Sequence, residues 1–426
     1  MIFPDSTALR TVPLGIILAL LLAPTAAAQI DSSFSVSGEI RQRSELDARD
    51  FDAGTTPADF HLLRTRLNVS VEPVDRVDVR VQLQDSRRFG AGNPALGRGT
   101  LDPSAGALDL HQGYFKVKGL FDVPLSLKIG RQELIYGNQR LVGAVGWSNV
   151  GRTFDAGVLT YDGSDVSIDL FAARLVGTTA EDEGSQNLFG LYGTWEGLDG
   201  QTLDVFALLD NDTNDITTGP DGDSKNRLVR FTPGVALRGT VSRFSYELEA
   251  AYQTGKRAVA TDVDRSTIQA SLLSAYVSSS LNTTPDLTIG AGYTRLSGDD
   301  VPRDDDLGQF NTLFATNHKF YGFMDFFPAT ASQFGLQDTH LKTSVQLSEQ
   351  VSLSADFHHF AQTESTPDRS LQTLGQELDL TATYRFAEPV RFTAGLSGFL
   401  PADAMERAVG NDDPAYWGYL MSTINF

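Results

Sequence analysis

The stretch LLRTRLNVSVEPVDRVDVRVQLQ, residues 62–84, states one rule twice. In an extended chain Leu63, Leu67, Val69 and Val71 lie on one side, and Arg64, Arg66, Asn68 and Ser70 on the other. After EPVDR (72–76) the pattern resumes, with Val77, Val79, Val81 and Leu83 against Asp78, Arg80, Gln82 and Gln84. A period of two is the signature of a β-strand, whose side chains alternate between faces. Two such runs joined by a short polar linker predict a hairpin. One of its faces is suited to an apolar medium and the other to water.

The same alternation recurs outward from this hairpin. FSVSGEIRQR (34–43), FSYELEAAYQ (244–253) and ELDLTATYRF (377–386) each set aromatic and aliphatic residues against charged ones. The linkers carry a second pattern. EPVDR (72–76), KGLFDVP (118–124), DGSD (162–165), EGLDG (196–200), GTVS (239–242), NTTPD (282–286), SEQ (348–350) and AEPV (387–390) are short. Between them lie long polar stretches rich in Gly and Asp, the longest at 297–336. Counting segments gives about 18 strands. The alternation predicts an all-β, transmembrane antiparallel β-barrel with short periplasmic turns and long extracellular loops. In lipid only helices and closed barrels satisfy every backbone group. The last strand, AYWGYLMSTINF, ends on Phe426 and resembles the assembly signal of bacterial outer-membrane proteins. A soluble sandwich or propeller would need apolar inner faces, whereas here one face of most strands is polar or charged.

Residues 1–28 contain the apolar run VPLGIILALLLAP followed by TAAAQ, which predicts a secretory signal cleaved after Ala28 and a single barrel domain over 29–426. The alternative, an N-terminal anchor, meets a run that is short for a span of about 20 residues. The chain has no Cys, so disulfides and thiol-metal chemistry are excluded. A formal net charge of −20 argues against nucleic-acid binding. The expected location is the bacterial outer membrane, with lipid and lipopolysaccharide as surroundings and periplasmic secretion partners left open.

If the apolar face meets lipid, the polar face lines a lumen. A charge on the lipid face costs about 2–4 kcal/mol at the midplane. Arg41, Arg43, Arg64, Arg66, Arg80, Lys128, Arg238, Lys342, Arg385 and Arg391 are therefore expected to point inward. So are the acids Glu39, Asp78, Glu247, Glu249, Glu377 and Asp379. The bases cluster in the first third of the chain, where a basic track would suit an anion. The competing reading is structural: Arg–carboxylate ladders that stiffen the wall. Acidic segments at 179–184, 210–226, 297–308 and 410–415 fall in long loops. They offer oxygen ligands of the kind calcium takes, but none completes a calcium-loop motif. No other cofactor is expected.

The segment LKIGRQELIYGNQRLVGAVGWSNVGRTFDAGVL (127–159) concentrates Gly and Arg in an acidic chain. Leu127 and Ile129 have lipid parity and Lys128 lumen parity. Arg131 shares the lipid parity, so either it lies past the membrane edge or a bulge at Gly130 turns it inward. Residues 132–151 read as a long loop able to fold into the lumen and narrow it, with Arg140, Trp147, Asn149 and Arg152 near the channel mouth.

Enzymatic motifs are missing: there is no GxSxG, HExxH or P-loop. His358 and His359 are adjacent on a strand and point to opposite faces, which defeats a chelating pair between them. His111 reads as a wall or rim residue, and His318 as packed against the aromatics around it.

GRQELIYGNQRLVGAVGWSNVGRTFDAGVL (130–159) resembles the central motif of the alginate export porin family. FNTLFATNHKFYGFMDFF (310–327) resembles part of that family's long late loop, with weaker agreement in HQGYFKVKG (111–119), LLRTRLNVS (62–70) and GQELDLTATYRF (375–386). The resemblance spans the mature chain. It implies an 18-stranded barrel and passive passage of an anionic uronate polysaccharide through an arginine-lined constriction. It carries over to Arg64, Arg66, Arg131, Arg140, Arg152 and Asp155. The alternative is a porin for small or differently charged solutes, in which the arginines form one side of a transverse field and the lumenal acids the other.

Overall fold

The computed structural model describes residues 33–89, 108–175, 185–212, 228–259, 262–281, 283–300, 306–328, 332–364 and 373–426. Segment 1–28, expected to be a secretory signal, and the acidic segment 179–184 lie outside these residues, as do most of 210–226 and part of 297–308. Eighteen antiparallel strands, from Ser33–Ala48 to Ala415–Asn425, form a single sheet. Each pairs with its neighbours in sequence, and the first pairs with both the second and the last, closing the barrel. A nineteenth short strand, Asp306–Leu307, adds in parallel beside Asp262–Leu281 and is not part of the wall.

The opening hairpin forms as the alternation requires: Ala58–Val74 pairs with Val77–Phe89 around a tight turn at Asp75 and Arg76. Short turns and long connections alternate around the barrel. One connection differs from the expectation of a long loop. Phe244–Val259 and Asp262–Leu281 pair out to their tips, so the polar stretch between the membrane-facing segments is an extended hairpin. Its residues satisfy their backbone groups on each other rather than in an irregular loop.

The apolar faces point outward. Phe34, Leu191, Val205, Leu273, Leu341 and Leu420 are large, exposed and on the outer parity. In water so much apolar surface would be a liability; in lipid it is the solvated face. Tyr161, Trp195, Phe244, Tyr384 and Phe392 sit near the short-turn ends of their strands, forming the interfacial aromatic girdle of an outer-membrane barrel. At the seam the amide of Gly38 donates to the carbonyl of Phe426 at 2.7 Å, and that of Phe426 donates back at 3.0 Å. The Phe426 ring covers Gly38 so closely that a Cβ there would lie 2.5 Å from it.

The packed core lies inside the barrel, which inverts the order of a soluble protein. Leu141, Val142, Phe310, Tyr321, Met324 and Phe327 come from two long connections and pack against inward residues such as Phe171, Leu188, Phe360 and Phe399.

Candidate functional site

The first connection, 133–153, enters the lumen and is held by the basic wall. Arg41 donates to the carbonyls of Gly146 (2.8 Å), Trp147 (3.1 Å) and Ser148 (2.9 Å). Arg43 donates to Trp147 O at 2.9 Å and lies 3.9 Å over the Trp147 ring. From the next strand Arg64 reaches Gly146 O (3.1 Å) and Ser148 O (2.9 Å) while pairing with Glu39 at 2.8 Å. The three guanidinium groups thus converge on one tripeptide of carbonyls. Planar, multidentate donors suit that role better than the point charge of lysine. Gln84 and Ser86 extend the seam to Val150 O and Asn149 O, and Asn149 itself donates to Arg87 O at 3.2 Å.

The second connection, 297–335, is held by the acidic wall. The amide of Met324 donates to Glu377 at 2.9 Å and that of Phe323 to Asp379 at 3.2 Å. Bases on the first two strands take loop carbonyls, and acids on Thr373–Ala387, three strands away across the seam, take loop amides. The two connections also pair with each other. Gly143 N donates to Phe314 O (2.9 Å), Phe314 N to Leu141 O (2.8 Å) and Thr316 N to Gln139 O (3.0 Å). His318 stacks on Trp147 at 4.4 Å and on Phe323 at 5.1 Å, in line with the sequence expectation.

The remaining sequence-predicted residues fall into three groups. Arg140 sits in the first connection, buried, 3.0 Å from Glu249 and 4.1 Å over Phe320. Arg152 donates to Ala315 O at 3.1 Å, and burial pushes its guanidinium below its ordinary value. Arg66 and His111 converge on Glu133, at 3.6 and 3.0 Å. Burial opposes charge on Glu133, yet His111 and Arg66 hold its carboxyl below the usual range. These residues join the two connections to each other and to the wall.

Arg131 and Asp155 require a correction. The strand register runs unbroken through Gly130, so Arg131 keeps the parity of Leu127 and Ile129 and faces away from the lumen. It is bound bidentately to Asp155, at 2.8 and 2.9 Å, with Asp109 at 3.9 Å. All three acids and bases lie at the long-loop ends of their strands, where an outer-face ion pair meets the headgroup zone rather than hydrocarbon.

The third group, Arg80, Lys128 and Arg238, lines the lumen toward the short-turn end. Arg238 is paired with Asp204. Arg80 donates to Asn68 Oδ1 at 3.2 Å, and Lys128 lies 4.0 Å over Tyr114. With them stands Lys116, which the sequence reading did not single out. It is directly opposite Lys128 in register. Among the described residues none of Arg80, Lys116 and Lys128 is in an ion pair. They line two adjoining cavities of about 400 Å³ each, whose acids have other partners: Glu72 and Asp78 at the lower rim are engaged by Lys118, Glu133 by Arg66 and His111, and Asp169 by the Tyr136 hydroxyl. Arg385 and Arg391 form a second like-charge pair across two strands of the same end. Like charges set directly opposite destabilise a sheet, so neither pair is explained by wall stability.

A closed eighteen-strand barrel with a lipid-facing belt, short periplasmic turns and in-folded extracellular connections is an outer-membrane porin-type channel. Its fold is shared with solved porins: OccK5 (OpdH) of Pseudomonas aeruginosa, with TM-score 0.58 and 12% identity over 92% of this chain and 98% of that one; a BenF-like porin from Pseudomonas fluorescens Pf-5, with TM-score 0.61 and 9% identity over 93% and 98%; and OccAB1 of Acinetobacter baumannii, with TM-score 0.59 and 13% identity over 93% and 96%. No curated protein matches the chain. The chain belongs to the alginate export family, whose model matches residues 32–418.

Proposed function

We propose that the barrel is a passive channel for an anionic polysaccharide of the uronate class, alginate being the one the family's description names. The observation that carries this reading is the cation cluster Arg80, Lys116 and Lys128 in the periplasmic vestibule, in which no cation is in a direct ion pair among the described residues and Tyr114 lies beneath Lys128. A carboxylate-bearing chain would relieve the repulsion between the paired lysines and gain charge-assisted hydrogen bonds. Arg41, Arg43 and Arg64 then shape the passage by holding the first connection, and are not themselves the track. In a planar bilayer under a salt gradient the protein is expected to be anion-selective and blocked by polyuronate. The Arg80→Ala/Lys116→Ala/Lys128→Ala variant should lose most of both properties while conducting as before. Unchanged selectivity and block in that variant would remove the cluster from the path.

A second reading, a porin for small acidic solutes, is favoured by the two connections meeting across the lumen. Uptake of a monomeric uronate into vesicles, with no block by the polymer, would select it.

A further inference from the structure

The sequence reading set His358 aside because its neighbour His359 faces the other way. The register supplies different neighbours. His358 lies directly opposite His340, and Asp338 is two residues from His340 on the same face of Leu336–Gln346. The carboxylate of Asp338 accepts from Nδ1 of both rings, at 3.0 Å from His340 and 2.9 Å from His358. All three side chains are buried, His358 and Asp338 at 1% exposure. The ligating atoms lie within 4.8 Å of one another, and among the described residues no other three His, Cys or acidic side chains converge in this way.

We propose that Asp338, His340 and His358 bind a divalent transition-metal cation of the zinc type. Two imidazoles and one carboxylate are a donor set of the kind such ions take, with a position left open. Bonds of about 2.0–2.2 Å place ligand atoms about 3.3 Å apart; the two Asp338–imidazole contacts, at 2.9 and 3.0 Å, already lie near that spacing, and the cluster, whose ligand atoms lie within 4.8 Å of one another, closes by side-chain rotation. On the far side of the His358 ring, His358 Nε2 and Glu377 Oε2, on residues paired in register, are buried without a partner. Asp379, two residues from Glu377 and also buried, adds negative charge to that wall. A cation in the cluster offsets this charge. Phe360 stacks on His358 at 5.3 Å and Phe327 packs tilted against Phe360 at 4.5 Å, so the site lies directly behind the seat of the second connection.

The test uses the full chain refolded in detergent, stripped with chelator, loaded with Zn²⁺ and passed through a desalting column. Retention of about one zinc per barrel is expected, with Co²⁺ giving the visible bands of nitrogen–oxygen coordination. The His340→Gln/His358→Gln variant should retain at least about tenfold less zinc, and Asp338→Asn should weaken retention with its fold confirmed by gel mobility. No retention by the parent chain, or retention that survives in folded His340→Gln/His358→Gln protein, would overturn the assignment; the latter would place the ion on the acidic loops.

Discussion

Arg64 satisfies three acceptors at once, the Glu39 carboxylate and the carbonyls of Gly146 and Ser148. Each charge-assisted bond of this kind is worth about 1.5–3 kcal/mol. Arg64→Ala is therefore expected to free the tip of the first connection and raise single-channel conductance. Arg64→Lys should restore only part of the closure, because an ammonium cannot span the same acceptors. Arg131→Ala, on the outer face, should leave conductance and selectivity unchanged; a change in either would contradict its placement. The facing of most wall residues was legible from parity alone. What they bind was not. Arg41, Arg43 and Arg64 take backbone carbonyls, which every residue has and no motif marks. Lys116 had lumen parity between Phe115 and Val117, but its place directly opposite Lys128 required the strand register. The partners of His358 required a strand register that the sequence does not carry.

The strands were readable because their two faces meet two different solvents, and the turns because a tight periplasmic hairpin leaves little room for anything but polar and glycine-rich residues. The in-folding of 133–153 was readable only as a possibility raised by its glycines. Its pairing with 297–335 was not readable, since it rests on backbone groups and on one close approach. A Cβ at Gly143 would collide with Thr316 Oγ1 and the Gln139 side chain. Gly143→Val is accordingly expected to part the two connections. Because each has its own anchorage on the wall, the barrel should fold normally and show larger, noisier currents in the bilayer. Currents like those of the parent would mean that the contact between the connections does not limit conduction. The same zipper makes independent opening of the two connections unfavourable, so parent channels should show one dominant conducting level rather than two additive ones.

Over the whole molecule the acidic balance and the basic vestibule are compatible because they occupy different places: the acid-rich segments lie in long connections, and the unpaired cations inside the wall. The barrel itself depends on a seam between its first and last strands. Gly38→Val, which pushes against the Phe426 ring, and deletion of Phe426 are each expected to lower the fraction of chain that inserts into lipid vesicles in folded form, measured by gel-mobility shift on heating. Gly38→Ala should be milder. Equal insertion for all three would show that the contact forms after assembly and does not guide it. That seam also sets a timetable. The strands between find both partners among their sequence neighbours, but Ser33–Ala48 must wait for the last strand, Ala415–Asn425, before its second edge is covered. Until that pairing forms, the sheet carries an open edge at its first strand. Closure of that pairing, rather than any local folding event, is the moment at which this protein stops being adhesive.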